Sequence, residues 1–511
     1  LINGIPINDQ STTQGLHDFG VDFIQTVEQI EIYPGSSATH FGTNAIGGAI
    51  NIILTNDYRD NISLSGDKKN NYELIANKVF ILDNSSLNFK LGNIRNKTIS
   101  ARGNVDDEKD GVENFTANIN FEKYLKPNLR LFSTSYLRQT ISEYDGSNTN
   151  QIGYEGDNKM TTLHLGLNDN RNGKKQNSTV YYNLYDREYD ELGTIDNYKS
   201  EVLGIKYDLS KTINENFSFG LGSEYKYDWG YFDNNGSYSA STKGNVDNLT
   251  IYTNLGLNIL GDTNLSVFLR NDNHKQAGNN STYKLNINKD IGKFNLGLSR
   301  MTGLRNPTLY ELYGTDNFGY SGNNDLKAEK SITNEFSLIY KINNKLLFNS
   351  TFFNSKINNN IEYVSNQYVN DTDNIDLKQN GVNSSINFKN KNTNLNLYSS
   401  YLNSHKENGS DQLRRPNKNY GLNLSQHLET SLFGDFIFNL SYQHYGKHFD
   451  THSSTFSTIE MDSTDLIDIK LSKSIFDKEI YFKISNLLKE NYQRPHGYNQ
   501  DLRLVKFGIR Y

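Results

Sequence analysis

Val27-Glu-Gln-Ile-Glu-Ile-Tyr-Pro34, then Gly35-Ser-Ser-Ala-Thr-His-Phe41, then Gly42-Thr-Asn-Ala-Ile-Gly-Gly-Ala-Ile-Asn-Ile-Ile-Leu54, is compact, apolar and rich in glycine. Almost everything after it is long, polar and alternating. Ile30 and Ile32 alternate with Glu31 and Tyr33, the period of a half-buried strand. Pro34-Gly35 breaks it, and Ser36 to Phe41 reads as one short helical turn capped by Ser36 or Ser37. Gly42, Gly47 and Gly48 permit backbone shapes that a Cβ forbids, and Ala49 to Leu54 reads as a second, more buried strand. The contrast with the remainder predicts a small globular piece held inside, or beside, one large β structure.

The glycine spacing of Gly42 to Gly48 imitates a phosphate loop. That motif requires Lys and then Ser or Thr after its last glycine, and here Gly48 and Ala49 follow Gly47, so nucleotide binding is set aside.

Composition narrows the class. Only 35% of the 511 residues are hydrophobic, yet 12% are aromatic, with 34 Tyr and 27 Phe; mean hydropathy is −0.70. Disordered chains are polar but poor in aromatics. A transmembrane β-barrel accounts for both facts, because only its outer face is apolar and aromatic girdles mark its interfaces with water. Phe294, Leu296 and Leu298 alternate with Asn295, Gly297 and Ser299, and Leu265–Arg270 and Ile480–Ser485 behave similarly. Residues 57–511, at ~20 residues per strand with its connection, give ~22 strands. An open sheet that wide leaves hazardous edges, which closure removes. The expected fold is an all-β transmembrane barrel of about 22 antiparallel strands with a small α/β plug remnant in its lumen. Long connections are expected at Asp233–Asn245, Asn271–Asn280, Leu304–Asn324 and Gly446–Ser457. The last strand carries Val505, Phe507, Ile509 and Tyr511 on one face.

There is no cysteine, which excludes disulfides and thiolate metal sites. The net charge of −6 offers no basic stripe for nucleic acid, and no apolar run is long enough for a transmembrane helix. Enzyme readings find no Cys nucleophile, no His-Glu-x-x-His and no Gly-x-Ser-x-Gly elbow. His444, His448 and His452 are spaced four apart, but on a strand neighbours lie ~13 Å from one another, too far to share an ion.

The residues also resemble a known family. Leu1-Ile-Asn-Gly-Ile-Pro-Ile-Asn8, Val27–Ile32 and Phe41–Ile53 look like the second half of the plug of TonB-dependent outer-membrane receptors. Gly303-Leu-Arg-Asn-Pro-Thr-Leu-Tyr-Glu-Leu-Tyr313, Asn324–Lys330 with Glu335, and Ser485–Tyr492 with Gly497-Tyr498 resemble recurrent segments of their barrels. There are departures: Gln29 replaces a usual Arg, Pro34-Gly35-Ser36 stands for the usual Arg-Gly-Pro, and Ala328 for a usual Pro. The resemblance implies residues 1–56 as the C-terminal half of the plug and 57–511 as the barrel, set in the lipid of a bacterial outer membrane. It implies uptake energised by the TonB–ExbB–ExbD complex. The signal peptide and the segment contacting that complex are expected to lie upstream of Leu1.

Within the superfamily the vitamin B12 (cobalamin) receptors resemble the chain most. No cofactor is required, but a structural Ca²⁺ in the extracellular loops is suggested by Asp106, Glu108 and Asp110, which share one face if extended. Tyr144-Asp145 resembles the second contributing segment, with Glu155 or Asp157 as a third; the plainer reading of such a charge run is a solvated turn. Asn8–Gly20 is loop-like, and the resemblance turns it toward ligand through Thr12 and Thr13. In Gln412-Leu-Arg-Arg-Pro416, Arg414, beside Arg415, is the implied ligand contact, against a salt bridge in the wall. The rival ligands are ferric siderophores or haem, whose receptors often have aromatic-rich lumens; a single Trp229 leans away from them. A passive porin or adhesion barrel is the rival of another class, and a porin needs no plug motif.

Overall fold

A computed structural model describes residues 1–20, 27–36, 42–54, 59–102, 109–146, 152–259, 261–370, 376–410, 412–430 and 434–511. Among them, 22 antiparallel strands close into a barrel, as the composition requires. The first barrel strand, Asn61–Gly66, pairs with Tyr72–Leu82 on one side and with the last strand, Leu504–Arg510, on the other. That seam, running from Phe507 opposite Gly66 to Arg510 opposite Ser63, leaves no free edge.

The period-two pattern explains which way each side chain points. On the strand Tyr154–Arg171, Met160, Thr162 and His164 face inward and are buried, while Leu163 and Leu165 face outward. The last strand does the same with Val505, Phe507 and Ile509 outward. Outward apolar residues meet lipid, and the inward side is largely Asn, Ser, Thr and charged residues. Leu165→Arg, near the middle of the lipid-facing band, is therefore expected to cost about 2–4 kcal/mol. Refolding equilibria in lipid vesicles check this, and an unchanged midpoint refutes the outward assignment.

The connections at the two rims differ. At one rim they are tight, such as Asn172-Gly173, where both residues take positive φ (54° and 68°) and turn the chain in two residues. At the other rim, which also holds the short connection Leu192-Gly193, four run long: 306–328, 359–376, 446–463 and 486–503. Two of the expected long loops contract. Strand structure continues to Asn234 and resumes at Ala240, and continues to His274 and resumes at Gly278. Those rungs rise above the lipid, since strands of up to 21 residues exceed the ~9–11 needed to cross it. With water on both faces they lose the alternation that marks a strand.

The expected loop at Leu304–Asn324 spans 306–328 and folds inward. It holds a five-residue helix, α1 (Leu309–Tyr313), whose Thr308 and Glu311 form a reciprocal capping box. Leu309 and Leu312 pack there with Phe232, Val246, Leu326 and Ile361. The expected loop at Gly446–Ser457 contains half of a hairpin, His448–Thr451 paired with Thr458–Met461.

Near the N-terminus, β1 (Val27–Pro34) pairs with β2 (Gly48–Leu54). Ile2 bridges to Ile52 in parallel on the other edge of β2. Ile2, Ile7, Ile52 and Leu54 pack against Tyr136, Met160 and Tyr185 on the inner wall. β2 is the buried strand, as expected. β1 corrects its expectation: Ile30 and Ile32 are 56% and 70% exposed, and Glu31 accepts hydrogen bonds from Asn51 and Tyr33. Alternation located the strand, but only packing partners decide which of its faces is covered. Ser36 is buried, its hydroxyl bonded to Ile46 O, Ser331 and Thr333 rather than capping a turn; residues 37–41 of that expected turn lie outside the described residues. Gly48, at φ +144°, has no room for a Cβ, which would sit 2.6 Å from Tyr33 O.

Candidate ligand-binding site

The segment Ile5–Asp9 is tied to the inner wall. Asn183 donates to Pro6 O at 2.9 Å and the Tyr185 hydroxyl to Ile7 O at 2.6 Å. Asp9 is the anchor. Its carboxylate accepts from Ser11 N, Ser11 Oγ and Ser200 Oγ and pairs with Arg187 Nε at 3.0 Å. Arg187 Nη2 donates to Ser11 O at 2.7 Å. These bonds hold the loop that follows Asp9 against one sector of the wall, and Tyr310 N of α1 donates to Gln10 O at 3.1 Å from the other side.

Above this anchor lies a chamber of about 630 Å³. One side is the loop carrying Thr12, Thr13, His17 and Phe19, and the other is a wall of tyrosines. Tyr144, Tyr189, Tyr198 and Tyr310 run edge to face with ring centroids 5.9, 6.0 and 5.8 Å apart, and Tyr310 stacks on Tyr320 at 4.8 Å. Such contacts contribute beyond the area they bury and make the wall stiff. Burial, and then the neighbouring Glu191 that takes its proton in a hydrogen bond, push the Tyr144 hydroxyl above the ordinary phenol range. Burial does the same to Tyr310, followed by Tyr198 and Asp316. Both stay protonated, the Tyr144 hydroxyl donating to Glu191.

Thr12 and Thr13 both line the chamber. The Thr12 hydroxyl donates to Asp9 O at 2.9 Å, and that of Thr13 lies beside the Tyr368 hydroxyl. Arg414 sits in the connection 407–417, in the left-handed region at φ +58°. Its Nε donates to Asp450 at 2.7 Å and its backbone N–H to Phe449 O at 2.6 Å. Asp450 also accepts from His496 N, so Arg414 joins three long connections. The guanidinium is 56% exposed but Asp450 is 1% exposed and keeps His496 N and Thr451 N as donors, so Arg414→Ala is expected to cost about 1–3 kcal/mol. Urea midpoints test this; an unchanged midpoint refutes the tether.

Of the residues suggested for a cation, Asp106 and Glu108 lie outside the described residues. Asp110 and Asp145 come together, with Glu143 beside them. Asp110 Oδ2 accepts from Ala101 N and Asp145 Oδ2 from Arg102 N, while Asp110 Oδ1 is buried with no donor among the described residues. That pair alone falls short of the roughly six to eight oxygens a Ca²⁺ takes, and among the described residues no group of three or more His, Asp or Glu side chains could hold a metal ion. Tyr144 and Asp157 point elsewhere, Tyr144 to Glu191 and Asp157 to Gln139 and Lys159. The three histidines also take separate partners: His444 bonds Asp465, His448 bonds Gly446 O, and His452 accepts from Ser454 N and Thr455 N.

Sequence reasoning missed Asp9, Arg187 and the tyrosine wall. A signal was present: Tyr181, Asn183, Tyr185, Arg187 and Tyr189 occupy alternate positions of one strand. Rings and a cation sharing the lumenal face mark a place where that face is not simply wet.

Residues 41–487 match the family described as TonB dependent receptor-like, beta-barrel. The chain is 24% identical over 533 residues to the vitamin B12 transporter BtuB of Vibrio cholerae serotype O1, covering 100% of this chain and 83% of that protein. It is similar in structure to the siderophore receptor PirA from Acinetobacter baumannii, with a TM-score of 0.83, 15% identity, and coverage of 100% of this chain and 90% of that one. It is also similar to the ferric yersiniabactin uptake receptor FyuA from Yersinia pestis, with a TM-score of 0.80, 14% identity, and coverage of 100% and 88%.

Proposed function

Since this chain belongs to the TonB-dependent receptor family of the bacterial outer membrane, we propose that it is an active uptake receptor for cobalamin. The similarity to a vitamin B12 transporter along the whole chain is the observation that carries this reading. The solved receptors resemble it in fold at 15% and 14% identity, too distant to speak for a ligand.

In this reading residues 1–56 are the second half of a plug, and the tyrosine-walled chamber is the receiving site on the extracellular side. Cobalamin rests between Thr12, Thr13 and the tyrosine wall. Arg414 must leave Asp450 to reach it. The TonB–ExbB–ExbD complex supplies the work of transport, because the outer membrane has no energy source of its own. Asp110 and Asp145, with Asp106 and Glu108 from the adjoining segment, bind a Ca²⁺ that braces the outer connections.

Radiolabelled cyanocobalamin is expected to bind the purified protein saturably, and a ferric siderophore to fail to compete. Saturable binding of ferric chelates alone overturns the cobalamin reading. A large ohmic conductance of the reconstituted protein overturns the plugged-receptor reading. Removal of Ca²⁺ with EGTA is expected to lower cobalamin affinity roughly tenfold, about 1.4 kcal/mol, with recovery on adding Ca²⁺. Equal affinities with and without the ion refute the cation site.

A further inference from the structure

The electrostatics of the chamber point to one chemical class of ligand. Among its described lining residues the cations are Arg138 and Arg187, set against the carboxylates of Asp9, Asp18, Glu191 and Asp196. Arg187 is neutralised by Asp9 beneath the floor. Arg138 is buried in the wall, only 4% exposed. Glu191 and Asp196 stand at the rim, at the strand ends flanking the tight connection Leu192-Gly193, and the Asp316 carboxylate lies close enough to Asp196 to act on it. Asp18, on the facing loop, is exposed. Walls of low dielectric focus such a field. The surface left for contact is the tyrosine wall on one side and Thr12, Thr13, His17 and Phe19 on the other.

We propose that this chamber selects by charge: its ligand is an uncharged or cationic compound with extended apolar faces to lay on the tyrosines, and polyanionic chelates are turned away at Glu191 and Asp196. The proposal rests on the uptake reading above and narrows it. Apolar faces pack on Tyr189, Tyr198 and Tyr310, and amide, hydroxyl or ammonium groups bond to the rim carboxylates and the phenols. A compound carrying several negative charges meets like charge at the rim, and among the described lining residues the two cations are held in the wall, Arg187 paired with Asp9 and Arg138 buried.

The test measures binding of three probes to the purified full chain by calorimetry. They are cyanocobalamin, which has no net charge, a cationic ferric hydroxamate, and a trianionic ferric tris-catecholate. The trianion is expected to bind at least tenfold more weakly than the better of the other two. The double variant Glu191→Gln/Asp196→Asn is expected to close most of that gap, as is raising the salt to screen the rim. Equal affinity for the trianion, or a gap that the double variant leaves untouched, overturns charge selection. If the hydroxamate binds and cyanocobalamin does not, the cobalamin reading falls and charge selection stands. If cyanocobalamin and the trianion bind equally, the reverse holds. If none of the three binds, both fall.

Discussion

Arg305→Leu is expected to destabilise the inward loop by about 3–5 kcal/mol, the usual cost of removing one partner from a buried ion pair. Arg305 Nε donates to Glu329 at 2.6 Å and Nη1 to Glu311 at 3.1 and 2.9 Å. Both carboxylates are buried, Glu311 completely. Glu311 also accepts from Thr308 N and Gln14 N, and Glu329 from Ile361 N. One guanidinium therefore joins the barrel wall, α1, the turn after Thr12 and a small hairpin in which Ile361–Val364 pairs with Gln367–Asn370. Without it two negative charges remain where water cannot reach them. Hydrogen exchange should rise across 306–328 while the outer strands stay protected. Arg305→Lys, which keeps the charge but loses the fork, should fall between. Unchanged exchange in Arg305→Leu refutes the assignment.

The second large effect is expected at Arg187. Arg187→Met leaves Asp9 buried without its cation and removes the guanidinium stacked over Tyr189 and Tyr198, at 5.8 and 5.1 Å from the ring centres. The loop carrying Thr12 and Thr13 should then detach from the wall. Cobalamin affinity is expected to drop about a hundredfold, roughly 2.8 kcal/mol. Replacing both partners, as Asp9→Leu/Arg187→Met, should recover stability relative to the single variant, because no charge is then left unpaired. Thermal unfolding followed at the loop and binding isotherms read the two effects separately. A double variant as unstable as the single one contradicts the ion pair's role.

These residues also show where sequence reasoning reached its limit. The capping box Thr308–Glu311 is written in four consecutive residues, so its helix turn could be located from the chain alone. That Arg305 would meet Glu329 and Glu311 at once was not legible, since it depends on a loop turning back into the lumen. Thr12 and Thr13 were placed by likeness and do line the chamber. Arg187, 175 residues beyond Thr12, was passed over because one arginine among many on polar strands carries no mark of burial.

The alternation of apolar and polar residues, the aromatic content and the chain length at ~20 residues per strand sufficed for the barrel and its strand number. Each of these is legible without any tertiary contact, and a period of two leaves a strand only one way to meet lipid outside and water inside. The chamber was decided only in three dimensions. Its tyrosines come from three separate stretches of chain, its floor from a fourth, and the choice of which β1 face to leave bare depended on what packs beside it. Burial and charge pairing belong to the partners that closure of the barrel brings together, and no short window of sequence contains them.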